Sequence, residues 1–165
     1  MQLFLFAFSK LKTPGLREAA DYYKKMARTW APLQEIELKP LSVPDKAPST
    51  RTRIQEKEGE LLLERIQSST QARTLIFLLD EGGKAQTSEA WAQQWRDWED
   101  SGVSAISLCI GSSLGFSSQV RARAQGRFSL GPQTMSHELA RVVLFEQIYR
   151  SYSILKGHPY HNSGS

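Results

Sequence analysis

Chemistry in this 165-residue chain concentrates near its C-terminus, where His137, Glu138, Arg141, Glu146, Tyr149, Arg150 and Tyr152 alternate with apolar Leu139, Val142, Val143, Phe145 and Ile148. That spacing predicts a helix from about His137 to Leu155, with Glu146 and Arg150 four residues apart on one face. Such a pair suits either a surface ion pair or a carboxylate and a guanidinium sharing one reaction site. Two of the three histidines, His158 and His161, lie in a terminal Gly-His-Pro-Tyr-His segment. An H-x-x-H pair with Pro159 inside it and no neighbouring carboxylate or thiolate does not predict a closed zinc site, so no metal is expected. The single cysteine, Cys109, sits in the apolar run Ile106 to Ile110 and reads as a core thiol, with no intrachain disulfide and no thiolate cage.

A second kind of chemistry is carried by small residues. Asp80-Glu81-Gly82-Gly83, Gly111 to Gly115 and Gly131 to Ser136 each follow an apolar run. In an open parallel sheet, ligands bind beyond the carboxyl ends of the strands, and small residues let main-chain groups approach a ligand closely. The same glycines also serve as simple strand-to-helix turns. There is no G-x-x-x-x-G-K-[ST] and no G-x-G-x-x-G after a strand, so phosphate-loop nucleotide binding lacks support, and serine hydrolysis is not indicated.

The elements that must position these segments follow from periodicity. Gln2 to Phe8 is an uncharged apolar run and predicts a buried strand; Pro14-Gly15 breaks the chain, and Leu16 to Trp30 predicts a helix with Ala19, Ala20, Tyr23, Met26, Ala27 and Trp30 on one face. Glu35 to Leu38 alternates like a half-buried strand, and the prolines at 40, 44 and 48 mark a loop. Ser49 or Thr50 caps the next helix, which runs to about Gln67 with Ile54, Leu61, Leu62 and Ile66 inward and Gly59 weakening its middle. Thr74 to Leu79 and Ala105 to Ile110 are continuous apolar runs separated by a helix bearing Trp91, Trp95 and Trp98, which predicts a parallel crossover. Those tryptophans read as packing, with base stacking as the alternative. A short helix from about Ser118 and a strand near Phe128 to Leu130 complete an α/β fold with helices on both faces of a parallel sheet.

Length and composition bound the rest. At 40% hydrophobic and 23% charged residues, the chain fits one compact domain and excludes disorder, collagen-like repeats and a coiled-coil rod. Leu3 to Phe8 is too short to span a bilayer and lacks a basic leader, so a cytoplasmic protein with no membrane association is expected. The net charge of +4 is uneven: residues 1–70 carry twelve Lys/Arg against nine Asp/Glu, residues 71–116 three against six, and residues 117–165 six against two. Basic ends suit a polyanionic partner, and Lys10, Lys12, Arg121, Arg123 and Arg127 are candidates for phosphate contact.

Taken together, LLDEGGK at 78–84, the glycine loop after Ile110, SHELARVVLFEQIYRSYSI at 136–154 and GHPYH at 157–161 resemble the ribosomal RNA large-subunit methyltransferase H family of small SPOUT methyltransferases. The resemblance spans nearly the whole chain; the combination of H-x-L-x-R-V, E-Q-x-Y-R and H-P-Y-H carries it. It implies a single SPOUT domain over 1–165, with a C-terminal trefoil knot in a cofactor-binding part of about 74–161. It further implies a homodimer that binds S-adenosylmethionine and methylates N3 of a pseudouridine in 23S rRNA on the assembled ribosome.

By position, the resemblance places Leu79, Gly111, Ser112, Gly115, Leu130, Gly131, Pro132, Gln133, Thr134 and Met135 around the cofactor. It places His137, Glu146 and Arg150 at the reaction site, approached by Tyr160 and His161 from the partner's tail. Glu146 or a histidine would take the imide proton and Arg150 would stabilise the resulting anion. The chain departs from the family pattern at Ser112, usually a second glycine, at Ser136, usually a proline, and at Asn162, often Arg or Lys. Ser112 is expected to narrow the cofactor pocket. A SPOUT-fold ribosome-binding protein without catalysis, and the same chemistry on another RNA, are the competing readings.

Overall fold

The computed structural model describes residues 1–70 and 73–162. Its elements in chain order are β1 (Gln2–Phe8), α1 (Leu16–Ala27), β2 (Leu33–Leu38), α2 (Pro48–Ser69), β3 (Thr74–Ala85), α3 (Ser88–Asp100), β4 (Ala105–Ile110), α4 (Ser118–Arg123), β5 (Gly126–Ser129) and α5 (His137–Leu155). Five parallel strands form one sheet in the order β2-β1-β4-β3-β5. Alternation along β1 builds a core on each face: Leu3, Leu5 and Ala7 pack with residues of α1, α3 and α5, whereas Phe4, Phe6 and Phe8 pack with Leu62, Ile66 and Val120 of α2 and α4. Trp91, Trp95 and Trp98 are 5%, 1% and 8% exposed within the first core, which settles them as packing. Cys109 is fully buried in the second, and burial pushes its thiol pKa up, leaving it unreactive.

Several boundaries differ from the sequence expectation. Helix α1 ends at Ala27, and Trp30 lies beyond it, stacked on Tyr149 with ring centroids 5.1 Å apart. Helix α2 starts at Pro48 with Ala47 as N-cap instead of Ser49 or Thr50, because proline at the first helical position sacrifices no hydrogen bond. Leu61, expected inward, is 41% exposed, while Glu58 is 2% exposed. Strand β5 occupies Gly126–Ser129, short of Leu130. Strand β3 does not end at Asp80: Leu79 and Lys84 both face Phe128 in the ladder, so residues 80–83 loop out and pairing then resumes.

Helix α5 is fixed across the sheet by a buried ion network. Arg141, 1% exposed, donates from Nη1 to Glu35 Oε1 on β2 at 3.0 Å and from Nη2 to the Ser9 carbonyl at 2.7 Å. Ser9 adopts φ 76°, a conformation unfavourable for a side-chain-bearing residue, and turns that carbonyl to the guanidinium. Glu35 also accepts from Arg17 at 3.0 Å and from Lys24 at 2.6 Å, joining α1 to the same point. Burial alone would raise the Glu35 carboxyl, but these cations outweigh it and hold its pKa at about 2.

Because the folded pKa lies below the ordinary 4.5, the stabilisation is complete above about pH 4.5 and is lost as pH falls towards 2. A shift of this size corresponds to roughly 3 kcal/mol. Glu35→Gln should therefore lower the urea midpoint at pH 7, with the gap to wild type closing between pH 4.5 and 2; a gap independent of pH would show that the carboxylate charge does not stabilise the fold through Arg17 and Lys24.

Candidate cofactor cleft and catalytic cluster

At the carboxyl ends of β3, β4 and β5 the chain leaves a cleft of about 310 Å³. Leu79, Gly111, Ser112, Gly115, Leu130, Gly131, Gln133, Thr134 and Met135 line it, together with His137; of the residues expected around a cofactor, Pro132 alone is not on the wall. The structure adds Asp80, Glu81, Phe116, Arg121 and Ala140. Ala140 was readable in principle, since it follows His137 by three residues on one helix face. Asp80 and Glu81 belong to the first of the strand-end segments marked in the sequence, and the excursion of β3 brings them to the cleft wall.

Side-chain hydrogen bonds close the cleft walls. Thr134 Oγ1 donates to Glu81 Oε2 at 2.5 Å, tying the 130–136 segment to β3. Asp80 accepts from the Gly82 N–H at 2.9 Å and from Arg121 at 2.7 Å, with Arg127 at 3.5 Å. Burial tends to raise the Asp80 carboxyl, but Arg121 and the Gly82 N–H prevail and hold it below the usual range. Arg121 and Arg127, read from sequence as phosphate candidates, are thus partnered by Asp80; Arg123, Lys10 and Lys12 are exposed.

Two of the three departures from the family pattern, Ser112 and Ser136, have structural partners. Ser112 does not present a free hydroxyl to the cleft: its Oγ donates to Glu58 Oε2 at 2.5 Å and accepts from the Leu114 N–H at 3.1 Å. Ser136 is the N-cap of α5, accepting from the Leu139 N–H at 3.2 Å. Glu138, in the first turn of α5, accepts from the Lys12 and Thr13 amides and the Thr13 hydroxyl, which lowers its carboxyl pKa and anchors the helix start beside the cleft.

A separate cluster forms further along α5. Glu146 Oε1 accepts from Arg150 Nη2 at 2.5 Å, Arg150 Nε at 2.9 Å and the Tyr160 hydroxyl at 2.9 Å, and Oε2 accepts from Gln147 at 2.7 Å. The Arg150 guanidinium also lies 4.8 Å from the Tyr160 ring centroid. Burial, then the Glu146 and Tyr23 contacts, push the Tyr160 hydroxyl pKa well up, so Tyr160 is a donor and not a base. His161 Nε2 lies 2.9 Å from Glu89, and its Nδ1 3.4 Å from Arg150. Tyr23 and Glu89 join this group from α1 and α3, which no linear spacing could reveal.

The five expected catalytic residues therefore fall into two groups. His137 lines the cleft, while Glu146, Arg150, Tyr160 and His161 meet elsewhere on the same chain. At 1.5 Å per residue, Glu146 is about 13 Å and Arg150 about 20 Å along the helix axis from His137.

The family model described as "Predicted SPOUT methyltransferase" matches residues 1–161. This chain belongs to the SPOUT methyltransferase family. Among curated relatives, a protein of Shouchella clausii (strain KSM-K16) named "Ribosomal RNA large subunit methyltransferase H" is 36% identical over 162 residues, covering 98% of this chain and 99% of that protein. Proteins of the same name from Clostridium botulinum (strain Okra / Type B1) and Ligilactobacillus salivarius (strain UCC118) are 37% and 35% identical with the same coverage.

Membership of the SPOUT family makes the chain a methyltransferase that uses S-adenosylmethionine, and the cleft fits that group. Leu79, Phe116, Leu130 and Met135 offer apolar walls for a flat ring, beside the glycines and main chain of the 111–115 and 130–135 segments. Gly111 leaves the floor open: a Cβ there would already touch Phe116 at 3.4 Å and Gly115 at 3.5 Å, so any longer side chain would fill the space. Among the described residues, no group of three or more His, Cys, Asp or Glu side chains is placed to hold a metal ion, and no helix is long and apolar enough to cross a membrane.

Gly83, where β3 rejoins β5 next to this SPOUT cleft, leaves no room for a side chain. A Cβ there would lie 2.8 Å from the backbone carbonyl carbons of Arg127 and Phe128, where β3 rejoins β5. Gly83→Ala should force the strands apart, destabilise the fold by about 2 kcal/mol or more and weaken S-adenosylhomocysteine binding at least tenfold. Denaturant titration and calorimetry check this, and unchanged values would mean the excursion does not set the cleft's width.

Proposed function

We propose that this SPOUT methyltransferase acts in the cytoplasm on ribosomal RNA of the large subunit, methylating N3 of a pseudouridine in 23S rRNA on the assembled ribosome. The relatives that match nearly end to end carry a large-subunit rRNA methyltransferase name, which supports the substrate class. The observation that carries the mechanistic reading is the distance along α5 between the cleft and the Glu146 cluster. In a homodimer, the cluster of one protomer faces the cleft of its partner, so that cofactor and base-contacting groups come from different chains. The reading includes the threaded C-terminal crossing that the family resemblance implies. Return of the chain from edge strand β5, through 130–136 beside the 111–115 loop, to α5 supports that crossing.

S-adenosylmethionine, when bound, supplies a methyl group activated by a positive sulfur. The protein's part is to hold the pseudouridine ring so that N3 loses its proton as the bond from N3 to the methyl carbon forms and the bond from that carbon to sulfur breaks. Arg150, oriented by two hydrogen bonds from its own guanidinium to Glu146, stabilises the negative charge developing on the imide. Glu146 already accepts from three donors on one oxygen and a fourth on the other, so its role is to aim Arg150 and Tyr160. Proton acceptance falls to His137, which lines the cleft; both ring nitrogens of His161 are already engaged, Nε2 by Glu89 and Nδ1 by Arg150.

Arg150→Ala should retain saturable S-adenosylhomocysteine binding while methyl transfer to ribosomes lacking the modification falls by about 10²-fold or more. Truncation after Gly157 should do the same. Calorimetry and mass spectrometry of digested 23S rRNA give the two readouts. Normal methylation by the truncated chain would remove the tail from the reaction, and methylation at another atom or in another RNA would sink the substrate assignment.

A further inference from the structure

The most buried acidic side chain among the described residues outside the α5 network is Glu58, in the middle of α2, and no cation pairs with it. An uncompensated carboxylate that is 2% exposed is costly unless its oxygens are fully used. Glu58 uses them on two loops: Oε1 accepts from the Leu41 N–H at 2.9 Å, and Oε2 accepts from Ser112 Oγ at 2.5 Å. Ser112 Oγ in turn accepts from the Leu114 N–H at 3.1 Å, within a tight turn where the Gly115 N–H donates to the Ser112 carbonyl at 3.0 Å. One helical turn before Glu58, Gln55 Nε2 donates to the Leu114 carbonyl at 2.6 Å.

Gly59 completes the arrangement. A Cβ at that position would lie 2.2 Å from Ser117 Oγ and 3.1 Å from Val120, at the N-terminus of α4. The glycine that weakens α2 on propensity is thus what lets the helix approach the segment leaving the cleft. Gln55, Glu58 and Gly59 form a single template against which residues 112–117 are shaped.

We infer that Glu58 is a positioning residue for S-adenosylmethionine binding, acting through the Ser112 hydroxyl to hold the 111–115 loop in its binding shape, so that Glu58 and Ser112 work as one unit. The inference rests on the reading of the cleft as the cofactor site. It also gives the serine at 112 a purpose, because a glycine there would leave one Glu58 oxygen without its hydroxyl donor.

The test is calorimetric titration of S-adenosylhomocysteine into the full chain and its variants, with amide hydrogen exchange of the ligand-free protein as a second readout. Ser112→Ala and Glu58→Leu should each weaken binding about tenfold, as expected for one lost hydrogen bond to a charged group. The double variant should be no weaker than the worse single variant, where independent effects would give about a hundredfold loss. Glu58→Gln should stay within about threefold of wild type, because its amide can accept from Leu41 and donate to Ser112. Exchange at the Leu114 and Gly115 amides should accelerate in Ser112→Ala.

Ile66→Ala, in the core of the same helix, provides a variant that loses stability without touching the loop, and its affinity should not move. Additive losses, wild-type affinity in Ser112→Ala, or an equal loss in Ile66→Ala would overturn the inference. If Glu58→Leu does not fold, Ser112→Ala and Glu58→Gln still decide it. Failure of the wild-type chain to bind S-adenosylhomocysteine would instead overturn the cofactor reading, and the effect of Glu58 on the loop would then be judged by exchange alone.

Discussion

The buried meeting of Arg141 and Glu35 is the constraint on which the remaining structure depends. Helix α5 carries both His137 at the cleft and the Glu146 cluster several turns away, so its placement sets both at once. Apolar packing against α1 and α3 seats the helix, yet such packing tolerates sliding and rotation more readily than a guanidinium with two directed hydrogen bonds does. Arg17, Lys24 and Arg141 gather on a carboxylate that is itself only 5% exposed, and Glu37 and Asp21 balance the excess positive charge. A network in which every charge has a partner specifies one arrangement of α1, β2 and α5, because any displacement would leave a buried charge unpaired.

Parallel strands supply the second constraint. They deliver the ends of β3, β4 and β5 to one side of the sheet, where main-chain groups no longer needed by the ladder become available. The excursion at residues 80–83 widens this region without ending the strand, since β3 rejoins β5 at Lys84. Thr134 on Glu81, Arg121 on Asp80 and Ser112 on Glu58 then link the loops to neighbouring elements. These links hold the cleft walls in place, and glycines and apolar side chains supply much of the remaining lining.

The proposed division of the chemistry between two places on one helix suits methyl transfer from a bulky donor to a base embedded in RNA. The donor needs an enclosed, partly apolar site, whereas the acceptor needs an accessible surface bearing a cation and hydrogen-bond donors. Glu146, saturated by Arg150, Tyr160 and Gln147, keeps the second surface ordered, and stacking of Trp30 on Tyr149 and of Tyr149 against Tyr160 holds the tail on it.

Much of this was legible in the sequence. The apolar runs and helical periods determine β1, β3, β4, α1, α3 and α5 and the parallel α/β class, because burial on one or both faces imprints directly on residue spacing. The three small-residue segments marked the cleft because each follows an apolar run, although β3 resumes pairing after its segment. What only the tertiary structure decided involves residues distant in the chain. Arg141 and Glu58 look like ordinary solvent-facing charges in their helices, Ser112 looks like an obstruction, and the Gly59 period looks like a defect. Their roles depend on Glu35, Ser9, Leu41 and Ser117, whose approach in space is set by sheet order and helix packing, and a local pattern of hydrophobicity contains no record of which distant polar groups will meet.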